Sequence, residues 1–358
     1  MPVRLMIVDD SNFMRKSIAL LLSTDQRIEV VSLVASGEEA LQQIPKVDPD
    51  VISLDVNLPG MDGIETLDKI MTNDPRSVIM FSGITKKGAE VTLKALKKGA
   101  VDFVAKPYGC LSPDLSSVRE ELIDKVVAAS RIRVARRGKK PVKKVIPRKI
   151  EERQLSAPNK SLLFITSSTG GVQALSKLLP ELPGDLPMPV LIVQHMPKMF
   201  TKSLAESLDR ISALTVKEAA HGDILEKGHV YIAPGGWHTV VVKDGADKRI
   251  RLEKNPKMKL MPCADVTMNS LPAVYGPNIL GIVLTGMGND GTKGAAVVKD
   301  AGGTIIAQDE ASSMIYGMPR SVTSNGLSDE VWALDEIAGN VVSMIGDYKS
   351  LKSAGSQS

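Results

Sequence analysis

Ser168, His195 and Asp290 each stand at or just past the end of an apolar, strand-like run, over 161–166, 190–194 and 279–284 respectively. A hydroxyl, an imidazole and a carboxylate are the parts of a nucleophile, a general base and a group that orients the base. In open α/β sheets such groups collect outside the carboxyl ends of the strands. A second polar set lies upstream, where Asp9, Asp10, Asp55, Ser82 and Lys106 also follow short apolar runs. Carboxylates gathered in one place repel each other unless a hard cation sits among them, and oxygen ligands suit Mg²⁺. Lys106 adds a compact positive charge and Ser82 a hydroxyl. That set suits phosphoryl transfer to Asp55, with Mg²⁺ and Lys106 neutralising the phosphoryl oxygens and Ser82 bonding one of them afterwards. Taken singly, each Asp reads as a loop residue capping the next helix. Five such groups at successive strand ends do not.

These groups require strands to carry them. Up to about residue 110, apolar runs at 5–8, 51–54, 78–81 and 101–104 alternate with amphipathic stretches such as Phe13, Ile18, Leu21 and Leu22. Strand alternating with helix predicts α/β architecture, a parallel sheet with helices on both faces. Ser112-Pro113 reads as an N-cap and first helical position, and Leu115, Val118, Leu122 and Val126 predict a last helix running into the 130s. Pro141, Pro147 and Pro158 mark a linker. Beyond it, Gly170-Gly171 opens a helix through Val172, Leu175, Leu178 and Leu179, and 228–242 reads as strand, turn, strand, a β-hairpin within an α/β domain. The expected units are 1–125, a basic helical extension and linker over 126–157, a second domain over 158–350, and a flexible tail over 351–358.

Composition narrows the classes. Cys110 and Cys263 are the only cysteines, with neither a disulfide framework nor metal spacing, so a reducing cytoplasm is the default. No apolar stretch approaches the roughly eighteen residues of a membrane span, and no membrane insertion is expected. Asp9-Asp10 arrives too early for a signal peptide. The net charge of +4 is local: ten Lys/Arg and no acid lie between Arg131 and Ile150, leaving 35 basic against 41 acidic groups elsewhere. A solvated, self-repelling linker explains the strip better than a nucleic-acid surface. No helix-turn-helix pattern accompanies it, so no nucleic-acid partner is expected.

Gly286-Met-Gly-Asn-Asp-Gly291 also fits the dinucleotide fingerprint, after a strand and before a helix, so a nicotinamide-dinucleotide enzyme is an alternative. Asp290 inside that turn would repel a pyrophosphate, and Ser168 and His195 would have no role. Ser167-Ser-Thr-Gly-Gly171 is neither a nucleophile elbow nor a lysine-bearing phosphate loop. It offers a hydroxyl at a helix N-terminus, where free N–H groups can stabilise an oxyanion. His221, His229 and His238 read as structural.

Two resemblances draw these motifs together. Asp9-Asp10, Leu54-Asp55, Leu58-Pro-Gly-Met-Asp-Gly63, Phe81-Ser82-Gly83 and Ala105-Lys106-Pro107 resemble a response-regulator receiver domain, a flavodoxin-like doubly wound parallel sheet. That resemblance implies phosphorylation of Asp55 by a histidine kinase. It also implies Mg²⁺ on Asp10, Asp55 and the backbone carbonyl of Asn57, with Asp9 nearby. Ser82, Phe103 and Lys106 would form the switch, Phe103 taking the place of a frequent Tyr. Ser-Ser-Thr-Gly-Gly, Val-Gln-His-Met-Pro, Leu-Thr-Gly-Met-Gly-Asn-Asp-Gly and Tyr316-Gly-Met-Pro319 resemble the catalytic domain of the CheB chemotaxis methylesterases, over about 162–345. By that resemblance a second doubly wound α/β domain, needing no cofactor, hydrolyses glutamate γ-methyl esters of methyl-accepting chemoreceptors and deamidates selected glutamines. Ser168 is then the nucleophile, His195 the base and Asp290 its orienting partner, with the Met287 N–H and Thr169 as oxyanion donors. Thr166-Ser167 stands where that family usually has Gly-Ala, which leaves the nucleophile open by one position. A scaffold with a degenerate esterase site is the other reading.

Overall fold

The computed structural model describes residues 1–106, 118–132, 160–255, 257–258 and 260–355. Ser112, Pro113 and Leu115, the linker prolines, Pro107, Cys110 and most of the basic strip lie outside the described residues.

The first sheet is built from β1 (Val3–Val8), β2 (Ile28–Val34), β3 (Val51–Asp55), β4 (Ser77–Gly83) and β5 (Asp102–Lys106). All pair in parallel, in the order β2-β1-β3-β4-β5. Central β3 is buried throughout, as a strand covered on both faces must be. Helices α1 (Asn12–Leu22), α2 (Gly37–Val47), α3 (Gly63–Asn73) and α4 (Lys86–Lys98) connect the strands. Their N-caps Ser11, Ser36, Asp62 and Thr85 each accept a backbone N–H from the first turn. Strand β2 carries no continuous apolar run because it is an edge strand, with Glu29 and Leu33 facing solvent. Helix α5 (Arg119–Ala129) stops at Ser130 rather than continuing into the 130s.

The second sheet has seven strands in the order β14-β13-β12-β6-β7-β9-β8. Its members are β6 (Leu162–Ser167), β7 (Val190–Gln194), β8 (Thr215–Glu218), β9 (His229–Ile232), β12 (Ile279–Val283), β13 (Thr304–Gln308) and β14 (Glu330–Trp332), all parallel. Helices α6 (Gly171–Leu178), α7 (Phe200–Asp209), α10 (Thr292–Asp300) and α11 (Met318–Ser324) lie between strands. The chain leaves β6 toward β7 and returns on the other side with β12. This places a topological switch point beside β6, where ligand sites of open α/β sheets form.

The expected hairpin over 228–242 is displaced by one strand. Strand β9 joins the parallel sheet, and β10 (His238–Asp244) pairs instead with β11 (Asp247–Glu253) in a separate antiparallel pair. Pro234-Gly235-Gly236 turns the chain off the sheet between β9 and β10. A Cβ at Gly235 would fall 2.4 Å from Lys198 N, so only glycine permits that approach. Beyond β11 come α8 (Ala264–Ser270) and α9 (Pro272–Tyr275), and α12 (Leu334–Gly355) ends the described chain. Most of the expected flexible tail therefore lies within α12.

The two domains meet along α4 and β5 of the first and α6 and α7 of the second. The rings of Phe103 and Phe200 stack with centroids 4.4 Å apart. Gln173 Nε2 donates to the carbonyls of Leu96 and Ala100, each at 2.9 Å, and Lys97 Nζ reaches Ser207 Oγ at 2.6 Å.

Phe164 is wholly buried in β6, between β12 and β7. Phe164→Ala should cost about 3–5 kcal/mol. Chemical denaturation monitored on the catalytic domain should show a midpoint well below that of the wild type, and an unchanged midpoint would contradict this core assignment.

Candidate active site

Residue 168 follows β6 directly, and its backbone is tied down on three sides. Ser168 N donates to Thr285 O at 3.0 Å, while Ser168 O accepts from Gly171 N at 2.8 Å and Gln194 Nε2 at 3.0 Å. Gly170 occupies the left-handed region with φ +82°, and a Cβ at Gly171 would lie 2.0 Å from Gln194 Oε1. The glycine pair lets the turn close against β7. The two adjacent hydroxyls differ in environment. Ser167 is fully buried and donates to Gln194 Oε1 at 2.6 Å, whereas Ser168 is half-buried and has no side-chain hydrogen bond among the described residues. Thr166 is buried beside Gly291, and its hydroxyl has no hydrogen-bond partner among the described residues.

His195 extends β7 by one position, its N–H bonding Ser167 O at 3.1 Å. Its Nε2 lies 2.7 Å from Asp290 Oδ2. Ser168 and His195 thus lie at the ends of neighbouring strands, with His195 paired to Asp290 from the loop after β12. No hydrogen bond joins the Ser168 hydroxyl to His195. Such nucleophile–base contacts are often long in unliganded enzymes and tighten with substrate.

Asp290 has further partners that sequence reasoning missed. Its Oδ2 accepts from Ala264 N at 2.6 Å, and its Oδ1 from Asp265 N and Cys263 Sγ, each at 3.0 Å. The carboxylate therefore caps the start of α8. Burial pushes its pKa up, but the hydrogen bond and charge of His195, the Asp265 N–H and the Cys263 thiol outweigh burial and hold it at about 2. Burial and the Asp290 charge push the Cys263 thiol up to about 12, so it stays protonated and donates. Nothing in the sequence around Cys263 announced this role, since the pairing spans a long chain separation.

The glycine turn does not offer a dinucleotide seat. Gly286 O accepts from Gly317 N at 3.1 Å and Met318 N at 2.9 Å, so the segment after Tyr316 packs onto the turn. A Cβ at Gly317 would fall 2.6 Å from Gly286 O. Met287 lines a cleft of about 920 Å³ between the domains, with Met314 and Tyr316 on one side and Asp124, Val127 and Arg131 of the first domain on the other; Ser168, His195 and Asp290 are not among its lining residues. The Thr169 hydroxyl is engaged across the seam, donating to Asp102 Oδ2 at 2.5 Å, so as arranged it is not free to serve as an oxyanion donor beside Ser168. His221 Nδ1 accepts from Leu252 N at 3.3 Å, and His229 Nδ1 lies 3.1 Å from Lys227 O. Buried His238 has no ring hydrogen bond among the described residues, and burial pulls its pKa down while the nearby Asp290 charge opposes this.

In the first domain, Asp9, Asp10 and Asp55 each bring a carboxylate oxygen within 4.8 Å of the others. Lys106 Nζ lies 2.7 Å from Asp55 Oδ2 and 3.0 Å from Asp9 Oδ2. Asp55 Oδ1 accepts from Asn57 N at 3.3 Å. Burial raises the Asp55 pKa to about 6, with Lys106 opposing and Asp9 adding repulsion. Crowded oxygen ligands around a half-neutralised charge fit a hard divalent cation. Ser82 is buried and turned toward Gly88 O at 3.4 Å, and Phe103 is buried in the seam against Phe200.

The geometry therefore defines a receiver domain joined to a catalytic α/β domain. The receiver-domain family matches residues 5–111, and the CheB methylesterase family matches residues 163–341. The chain belongs to the CheB methylesterase family. It is 42% identical, over 96% of its length and 99% of the relative's, to the protein-glutamate methylesterase/protein-glutamine glutaminase of Geobacillus kaustophilus strain HTA426. A protein of the same description from Pyrococcus abyssi strain GE5 / Orsay is 40% identical over 95% of this chain and 93% of the relative. The solved catalytic domain of Thermotoga maritima CheB methylesterase matches at TM-score 0.51 with 41% identity, covering 52% of this chain and 98% of that one.

The Asp55 pKa sets a stability prediction. Its folded value of about 6 exceeds the ordinary 3.8, so the folded protein holds this proton more tightly than the unfolded chain. Ionisation therefore costs stability, beginning as pH rises past 3.8 and complete above about 6. In EDTA at neutral pH, Asp55→Asn should stabilise the receiver by about 2–3 kcal/mol, with the gain vanishing in acid. Denaturant titrations across pH would refute this if the variant were no more stable at neutral pH.

Proposed function

We propose that this chain hydrolyses glutamate γ-methyl esters on methylated chemoreceptors, deamidates selected receptor glutamines, and is switched by phosphorylation of Asp55. The observation that carries the reading is the His195–Asp290 pair at 2.7 Å, set at the strand ends flanking Ser168. The full-length relatives named above carry this double activity in their names.

With Nε2 turned to Asp290, Nδ1 of His195 is the nitrogen left to serve as base. Ser168 Oγ attacks the ester carbonyl and gives its proton to His195, whose positive charge Asp290 stabilises. The tetrahedral oxyanion forms beside the start of α6 and the Met287 N–H, where backbone donors and the helix dipole favour negative charge. His195 then returns the proton to the departing methoxide, and methanol leaves. Water, deprotonated by His195, cleaves the acyl-enzyme to glutamate and restores the Ser168 hydroxyl. With a glutamine substrate the same steps release ammonia.

Phosphate reaches Asp55 from a histidine kinase of the chemotaxis type, in the cytoplasm. Asp9, Asp10, Asp55 and the Asn57 carbonyl would hold Mg²⁺, which supplies charge neutralisation at the phosphoryl oxygens. Lys106 stays paired to the acidic set, and Ser82 turns to the new phosphoryl group. Phosphorylation adds about two negative charges. The consequent rearrangement of the Ser82–Phe103 face loosens the contact with Phe200 and opens the cleft for a receptor.

Methanol release from methylated receptor membranes tests the reading. Ser168→Ala should lose at least about 10⁴-fold in rate, and Asp290→Asn a comparable factor. Ser167→Ala removes one buried hydrogen bond and should stay within about tenfold. The reverse order for the two serines would move the nucleophile to Ser167. No methanol from the wild-type protein, phosphorylated or not, would leave only the scaffold. Asp55→Asn should also abolish activation by a small acyl phosphate with Mg²⁺.

A further inference from the structure

One buried polar contact has no part in the chemistry above. Thr169 comes directly after Ser168, yet its hydroxyl crosses the domain seam to Asp102 Oδ2 at 2.5 Å. Both residues are buried. The other oxygen of Asp102 accepts from Phe103 N at 2.8 Å and faces Lys125 Nζ at 3.4 Å. Lys125 in turn bonds Glu121 at 2.7 Å and Phe103 O at 2.6 Å. Asp102 is thus held by its own domain, and a hydroxyl bound to a buried carboxylate is held more firmly than one bound to a neutral acceptor.

The turn after Ser168 is consequently gripped from two sides. The catalytic domain holds its backbone, with Thr285 Oγ1 donating to Thr169 O at 3.0 Å. The receiver holds its side chain. Strand β5 joins this grip to the phosphorylation site: Asp102 begins the strand, and Lys106, bonded to Asp55, ends it. The two residues share one face of the strand, about 13 Å apart at the usual rise.

We propose that Asp102 is a positioning residue of the catalytic site, supplied by the receiver. While the domains are docked, it withholds the Thr169 hydroxyl from the pocket. Undocking on phosphorylation of Asp55 returns that hydroxyl as a donor to the oxyanion formed at Ser168. The inference rests on the esterase reading. It adds that the receiver governs the intrinsic reactivity of Ser168 as well as access to it, so a reagent too small to be excluded by the receiver should still sense the switch.

A small fluorophosphonate provides that reagent. Ser168 Oγ gives its proton to His195, forms a bond to the reagent's phosphorus and expels fluoride, and the phosphoryl oxygen stands where the oxyanion would. The labelling rate is measured on the full chain, with and without a small acyl phosphate and Mg²⁺. Phosphorylation should accelerate labelling of the wild type. Asp102→Ala should accelerate the unphosphorylated protein about tenfold, the size of one charge-assisted hydrogen bond. That gain should disappear in a Thr169→Val background and return with Thr169→Ser. Should Asp102→Ala fail to fold, Asp102→Asn keeps an acceptor for the Phe103 N–H and takes its place. Equal rates for wild type and the Asp102 variant would overturn the proposal. So would a gain undiminished by Thr169→Val, because Asp102 would then act on docking alone. Absence of label in every chain would count against the esterase reading itself. Amide hydrogen exchange over 168–171 then decides the latch: faster exchange in the Asp102 variant supports it, and equal exchange overturns it.

Discussion

The catalytic half of this molecule depends on one buried carboxylate. Asp290 sits in a glycine turn with little solvent, where an unpaired charge would be expensive. Its oxygens are satisfied by His195, the Cys263 thiol and the first N–H groups of α8, Ala264 and Asp265. Those donors come from just past β7 and from Cys263 and the first turn of α8, while the acceptor follows β12. One set of hydrogen bonds therefore determines how three distant stretches of chain meet. The pKa of about 2 expresses this: the donors outweigh burial, so the carboxylate remains charged opposite the imidazole.

The order of the strands explains the order of the residues. A hydroxyl after the first strand, an imidazole after the second and a carboxylate after a much later one look scattered along the chain. In the sheet β6 lies between β7 and β12, so the three groups become neighbours across the switch point. Small residues make the approach possible. Gly171 leaves room for Gln194, whose amide receives the Ser167 hydroxyl and donates to the carbonyls of Ser168 and His195. Gln194 thereby fixes both strand ends with one side chain, and it holds the buried Ser167 hydroxyl in a hydrogen bond.

Much of this was legible because it is local. Continuous apolar runs ending in polar groups mark central parallel strands, and β1, β3, β4, β6, β7 and β12 all follow that rule. Strand β2 escaped because an edge strand is only partly buried, with full burial at its two end residues alone. The hairpin was misplaced because β9 and β10 are adjacent in sequence and equally apolar. Only the close approach of Gly235 to Lys198 shows that the chain leaves the sheet there. Cys263 and Asp102 could not be read as parts of a site at all, since each matters through a partner far along the chain. A long-range hydrogen bond leaves no periodicity to detect.

The seam between the domains has the character of a device that opens. It combines an aromatic stack, Phe103 on Phe200, with polar contacts that water could replace: Lys97 to Ser207, Gln173 to two carbonyls, and Thr169 to Asp102. A wholly apolar seam would resist separation, whereas polar groups regain hydration once apart, which lowers the cost of undocking. Phe103 also shares β5 with Lys106, which already touches Asp55. The strand that meets the acidic cluster is therefore the strand whose other residues form the seam. One short strand thus connects the Lys106–Asp55 ion pair at its end with Asp102, which holds the turn after Ser168, at its start.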